Sequence, residues 1–496
     1  MKKETVFLLF SALLLISASS CGQNKSDAVT KQKNTAADTA QVMATTETEE
    51  PKVDWTSAGI EAKDFGGRTF TTIIEEVSGN AYAWYRFAPE ENDGETLNDA
   101  LVQRNSKIEE VFNVDIREVS RTTIATDFRK AVTSGDNSYD CALDMVQRLF
   151  ALAQDGLLVN WYDLPGVNLK APWWDSSVVD QLTVHDKLYF CTGDISPATN
   201  IRVYSLVFNK DLCRSLGIDL PYDHVKNGTW TIDVFNQYIT DVNHDVNGDG
   251  KMDYDDRWGY FSQSGNSFMM YFAGGGTVVS VNENEELVLT LNLERNLELA
   301  VKALEISIDD NKTLMADPYV QANGGQWPAA SAWFAGGNAL MRSSVFEPVP
   351  RDYRSMETDF GVLPYPKMDE NQDRYYTPAE EASRMFGVPQ TADLEFVGTM
   401  LEVLAAESVS TVSTAFYDVC LQGKSVRDVE SAEILNILFD NKVFDYALIH
   451  DMNSFKNMMK TLESKKSTDV ASTFASETKK LEKNLIKISK ALEDTD

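Results

Sequence analysis

Histidine and cysteine are scarce in this 496-residue chain, with four of the first and five of the second. Cys21, Cys141, Cys191, Cys213 and Cys420 include no Cys-x-x-Cys pair, so their spacing supports neither a zinc knuckle nor a disulfide framework. The last four read as small buried hydrophobes. His185, His224, His244 and His450 are scattered singly, which suits surface or core residues better than a base or a metal site. HExxH, GxSxG, a P-loop and a GxGxxG at a strand–helix junction are all missing, leaving catalysis without a local signature. Basic residues are short as well: 45 Lys and Arg face 76 Asp and Glu, a net charge of -31. That balance repels nucleic acid and anionic membrane surfaces and favours solubility. With so many acids, a carboxylate pair of the kind a glycosidase needs can always be picked out, and the choice carries no weight without a motif around it.

What is present begins with a leader. Lys2 and Lys3 precede an apolar run from Val6 to Ile16, with Glu4 just before it and Ser17-Ala18-Ser19-Ser20 just after. Charged, apolar and small in that order is a secretion signal, too short to span a membrane stably. Cys21 directly after the small residues resembles the lipobox of bacterial lipoproteins, where the thiol is diacylated and becomes the new N-terminus. Ala18 and Ser20 depart from the leucine and the glycine or alanine usual there. An ordinary signal peptide cut nearby, with Cys21 incidental, is the alternative, and both readings put the protein outside the cytoplasm. The expected layout is therefore a signal peptide over 1–20 and a lipid-anchored linker over 21–54. The linker is polar and has almost nothing to bury, the composition of a disordered tether.

The body, roughly 475 residues with the leader removed, exceeds one hydrophobic core and suits two lobes. Residues 68–75 (RTFTTIIE) predict a strand, 95–112 a helix, 113–119 a strand, 128–134 a helix, 139–146 (YDCALDMV) a buried strand and 149–156 a helix. Such alternation implies a parallel three-layer α/β unit. A second α/β unit starts near Arg202. Its strand is VYSLVF (203–208), a helix follows over 209–216, and Thr231 is placed to N-cap another to about 241. Residues 278–291 alternate as a hairpin, 293–308 form a helix, 359–364 a strand, 396–416 a long helix, and 431–496 are helical and increasingly basic.

One short motif is sharply chemical. Asp245-Val246-Asn247-Gly248-Asp249-Gly250-Lys251 begins a twelve-residue calcium loop, with oxygen ligands at alternate positions and glycine at the tight turn. Asp245, Asn247 and Asp249 would bind through side chains, Lys251 through its carbonyl and Asp256 at the twelfth position. Aspartate there resembles a dockerin-type loop more than an EF-hand. The expectation is a structural Ca2+ that staples a long loop; an unmetallated Asx-rich turn is the alternative.

Several further segments occur in a telling order: GETLNDALVQRNSKIEEVFNVDI (94–116), YDCALDMV, KLYFCTGDI (187–195), LVFNKDL (206–212), GTWT (228–231), FAGGNALM (334–341), FGVLPYPK (360–367) and QDRYYT (372–377). Together with the leader they resemble the extracellular solute-binding protein family 1, the sugar-type binding lipoproteins of ABC importers that include maltose-binding proteins. The resemblance implies an α/β, two-lobed periplasmic-binding-protein-like fold (type II), each lobe a mostly parallel sheet flanked by helices. One lobe would combine 55–195 with 378–420, the other 196–377 with 421–496.

A sugar offers flat apolar faces and an edge of hydroxyls, so its cleft needs aromatic platforms and polar side chains. Candidates are Trp84 and Tyr85 after the first strand, Arg202 and Tyr204 at the entry to the second lobe, Trp327 and Trp333 around an Ala-rich turn, Glu347 beyond FAGGNALM, and Glu380, Glu381 and Arg384 after YYTP. Packing and internal ion pairs are the competing roles for these side chains. The resemblance implies a non-enzymatic, monomeric binding protein that closes on a sugar or oligosaccharide and hands it to ABC permease subunits. A binding protein for a peptide or polyamine, a sensory receptor and a secreted glycosidase are the rivals.

Overall fold

The computed structural model describes residues 53–76, 83–284, 286–421, 429–449 and 453–493. The leader, Cys21, the linker as far as residue 52 and the loop residues 77–82 lie outside them. In chain order the strands are β1 (Arg68–Glu75), β2 (Val114–Arg121), β3 (Cys141–Met145), β4 (Tyr204–Asn209), β5 (Trp258–Ser262), β6 (Val279–Val281) and β7 (Leu287–Leu289). β8 (Thr313–Met315), β9 (Ala339–Val345), β10 (Phe360–Leu363), β11 (Thr377–Pro378), β12 (Arg384–Gly387) and β13 (Lys442–Val443) follow.

Two mixed sheets organise the molecule. The first has the order β12-β3-β1-β2, parallel except for β12; the second runs β10-β4-β9-β5-β8, with β4 antiparallel to both of its neighbours. Strands covered by helices on both faces read as continuous apolar runs, and β4 (YSLVFN) and β5 (WGYFS) are buried at every residue. Phe70, Ile73, Leu143, Val207, Phe261 and Met341 stand in the core at 0–1% exposure. At Gly259 the backbone of Ile239 comes so close that an added Cβ would sit 2.1 Å from its carbonyl oxygen, which is why this turn of β5 carries no side chain.

Three chain segments pass side by side between the sheets. Val203 bridges Ala379, Glu380 N–H donates to the Arg202 carbonyl at 3.1 Å, and β11 pairs in parallel with β13. Lys442 of β13 pairs with Asp175 at 3.1 Å and bonds Asn200 at 3.0 Å, tying the third pass to the first. This is the two-lobed α/β architecture, with the crossings as its connection. The helix Val470–Glu493 packs against Glu294–Ser307 and β7 on the second-sheet side and also against Val146–Gln154 beside the first sheet, so the C-terminal helices are not confined to one lobe.

Candidate ligand-binding site

Parallel α/β sheets present ligand sites beyond the carboxyl ends of their strands. In the second sheet these ends are Ser262 of β5, Met315 of β8 and Val345 of β9, joined by the first residue of the antiparallel β4, Tyr204. There a cavity of about 460 Å3 opens. Gln263 and Ser264 follow β5, Asp317 follows β8, and Arg342, Ser344 and Val345 come from β9 itself. Glu347, Pro348 and Arg351 enter with the next turn, and Gln326, Trp327 and Ser331 with the helix Pro328–Ala335. Arg202 and Glu380 arrive from the crossings, and Lys456 and Lys460 from the helix Asn453–Ser464.

Arg202 is the electrostatic centre. One Nη donates to Glu347 at 2.7 Å, the other to Glu380, and the two carboxylates hold the guanidinium firmly protonated despite its burial. Burial pushes the Glu380 carboxyl up, with Arg202 opposing. It also pushes up the hydroxyl of Tyr204, reinforced by Glu380 and Glu381. Trp327, 41% exposed, keeps its indole open to a ligand. Such a wall joins one free aromatic face to a ring of amides, hydroxyls and charges, the pairing that polyhydroxylated ligands require.

Of the residues expected from sequence, the cavity gathers Arg202, Tyr204, Trp327, Glu347 and Glu380. Glu381 lies just behind it, accepting from Lys456 at 2.7 Å. Tyr85 is within hydrogen-bonding reach of Arg202, though its ring, like that of Trp84, is only 6% exposed. Arg384 is elsewhere: it sits over the Tyr85 ring at 3.9 Å and bonds Glu75 at the carboxyl edge of the first sheet. Trp333 requires a correction. The Ala-rich segment around it is a helix rather than a turn, and helical spacing turns Trp333 inward, 4.2 Å from the Phe261 ring with its N–H on the Tyr254 carbonyl. Gln263, Asp317, Arg342, Arg351, Lys456 and Lys460 were not anticipated. The basic trend of the last helices was the signal available for the two lysines.

The Asp-rich loop lies apart from this cavity. Asp245 accepts Gly248 N–H at 2.6 Å and Gly250 N–H at 2.8 Å, Asn247 accepts Asp249 N–H, and Asp249 accepts Lys251 N–H. Gly248 and Gly250 adopt φ of 74° and 79°, the left-handed conformation that the glycine positions predict. Asp256 is buried, accepting Val246 and Asp253 N–H, and these bonds hold its carboxyl below the usual range. Among the described residues no three acidic, histidine or cysteine side chains converge closely enough to hold a metal in this arrangement.

No family model matches the chain. No curated protein matches it in sequence. Solved structures do. An ABC substrate-binding protein from Listeria monocytogenes in complex with cycloalternan aligns over 84% of this chain and 99% of its own, with 14% identity and a TM-score of 0.55. A cyclo/maltodextrin-binding protein complexed with maltotetraose covers 86% of this chain and 97% of its own at 15% identity, TM-score 0.53. An ABC transporter solute-binding protein from Thermotoga lettingae bound to tagatose covers 86% and 100% at 13% identity, TM-score 0.50. At such identities the likeness is one of architecture, and the fold of this chain is that of the two-lobed ABC substrate-binding proteins.

Proposed function

We propose that this protein is the extracytoplasmic substrate-binding component of an ABC importer, which captures a sugar or oligosaccharide between its lobes and delivers it to the permease. The observation that carries this reading is the cavity of about 460 Å3 at the carboxyl edge of the second sheet, beside the crossings, with Trp327 exposed among amide, hydroxyl and charged groups. Its volume falls in the range of small-ligand sites. The aligned structures that hold cycloalternan, maltotetraose and tagatose share this architecture. Closure follows from the connection: a ligand touching both lobes stabilises whichever hinge angle brings them together. A binding role without catalysis agrees with the aligned proteins being binding proteins.

The leader adds a compartment. Cys21, acylated, would anchor the chain to the bacterial cell membrane, and the polar linker would hold the monomeric body off its surface; no described helix is long and apolar enough to cross a membrane. The Asp245–Asp256 loop would take Ca2+ as a structural staple once its side-chain oxygens turn from loop N–H groups to the ion.

A thermal-shift screen of the full chain against mono- and oligosaccharides, repeated in calcium and in chelator, tests the reading. A ligand at a hundred times its dissociation constant adds about 2.7 kcal/mol of stability. Sugar-specific stabilisation without turnover is the expected result. Stabilisation by peptides or polyamines alone overturns the sugar assignment.

A further inference from the structure

Five cationic side chains line the cavity, Arg202, Arg342, Arg351, Lys456 and Lys460, in a chain whose net charge is -31. Three have carboxylate partners. Arg202 holds Glu347 and Glu380, Arg351 holds Asp352 at 2.7 Å and Glu347 at 3.2 Å, and Lys456 holds Glu381.

Arg342 and Lys460 have no carboxylate partner among the described residues. Arg342 is 3% exposed; its Nη1 donates to Ser331 Oγ at 3.1 Å and to the Tyr353 hydroxyl, and its guanidinium lies 5.9 Å from the Tyr353 ring. Lys460 runs its stem past Gly265 and makes neither an ion pair nor a hydrogen bond there. The carboxylates on that side are already engaged. Asp317 takes Ser264 N–H at 2.6 Å, and Glu463 takes Gly265 N–H at 2.6 Å and the Ser267 hydroxyl at 2.5 Å.

A guanidinium buried without a counter-charge is costly unless another group completes it. We propose that the ligand completes it: the site takes an acidic sugar, one carrying a uronic-acid residue, whose carboxylate is clamped by Arg342 and Lys460. The inference rests on the sugar reading above. The fork of Arg342 matches a planar carboxylate, and Lys460 adds a mobile point charge. Gln263 and Gln326 remain for the hydroxyls, and Trp327 for a ring face.

The test is calorimetric titration of the full chain with trisaccharides of galacturonate, glucuronate and mannuronate, each beside its neutral counterpart and a sulfated one at equal ionic strength. The expected result is at least tenfold tighter binding of a uronate than of its neutral counterpart, weakening with added salt. Lys460→Met should cost about ten- to a hundredfold in uronate affinity, the worth of one charge-assisted contact, and collapse the acidic-over-neutral preference. Arg342→Gln should do the same; if that buried substitution prevents folding, Lys460→Met carries the test alone. A neutral sugar bound as tightly as its uronate, with Lys460→Met indifferent, overturns the inference and leaves the sugar reading standing. Preference for the sulfated member overturns the carboxylate assignment. Failure of every sugar to bind overturns both.

Discussion

At the carboxyl edge of the first sheet, Glu75 accepts from Arg148 at 2.9 Å and from Arg384 at 2.5 Å, Asp144 accepts from Arg148 at 2.9 Å, and Arg384 lies over Tyr85. At the corresponding edge of the second sheet, side chains of the same kinds surround open space, and among the described residues Arg342 and Lys460 have no carboxylate partner. The same contrast separates two buried arginines. Arg104, fully buried on the first-sheet side, donates to Asn105, to the carbonyls of Phe87 and Ile195, and to Ser408, and it stacks 4.8 Å from Phe87. Burial lowers its pKa to about 9, yet each nitrogen has an acceptor. Arg342 has two hydroxyls on a single nitrogen. One guanidinium is completed by its own chain and the other faces a cavity, which separates a group kept for stability from one kept for a ligand.

Stability should break that comparison most sharply. Arg104→Leu strands the Ile195 carbonyl and loosens Phe87, Asn105 and Ser408, and with each orphaned acceptor worth about 1–3 kcal/mol, the loss should reach about 3–5 kcal/mol in urea unfolding. Arg342→Leu removes an uncompensated charge and should cost less than about 1 kcal/mol without ligand. Equal losses would mean that Arg342 is as structural as Arg104.

The next effect in size is a pH dependence. Glu402, in the helix Leu394–Ser408, is fully buried and accepts Trp174 Nε1–H at 2.8 Å, while its other oxygen has no partner. Burial pushes it up from 4.5 to about 7. A carboxyl raised on folding favours the native state only while protonated. Stability should therefore fall as pH rises from about 4.5 to about 7, by up to about 3 kcal/mol. Glu402→Gln should remove that part of the slope and be the more stable protein at pH 8. Asp140, Asp144, Asp194 and Asp445, each pushed up to about 6 by burial, contribute to the slope remaining below pH 6. An unchanged profile in the Gln variant would mean that Glu402 ionises without penalty.

Trp327→Ala separates platform from core. At 41% exposure its removal should leave the melting temperature nearly unchanged while weakening sugar affinity about tenfold. Trp333→Ala, made inside an aromatic cluster, should cost about 3–5 kcal/mol of stability. A reversal of the two effects would restore Trp333 to the site.

Much of this architecture was legible because periodicity reports local burial. RTFTTIIE is β1 to the residue, and Thr231 caps its helix by accepting Val234 N–H at 3.3 Å. β5, β8 and β12 were not foreseen: five residues or fewer, each apolar or mixed, give no period to read, and only their neighbours in the sheet make them strands. The site was half legible. Arg202, Glu347 and Glu380 sit beside motifs, whereas Arg342 lies inside a strand that reads as core, and Lys456 and Lys460 reach the cavity from more than a hundred positions beyond it. A residue whose role is set by tertiary placement leaves no mark on its own neighbourhood in the chain.

The smallest effect concerns the Asp-rich loop, and it asks whether a third region resembles the closed edge or the open one. In the described arrangement Asp245, Asn247 and Asp249 satisfy backbone N–H groups of their own loop, a closed solution like that of Glu75. Calcium would exchange some of those bonds for metal contacts, a modest net gain because bonds already made are given up. At ten times its dissociation constant, one Ca2+ adds about 1.4 kcal/mol, a rise of a few degrees in melting temperature for a chain of this size. Asp249→Ala should abolish that rise while leaving the melting temperature in chelator close to that of the parent chain, since among the described residues the Asp249 side chain accepts only Lys251 N–H. If the parent melts at the same temperature in calcium and in chelator, the loop is an Asx-rich turn complete in itself, a closed arrangement that needs no ion.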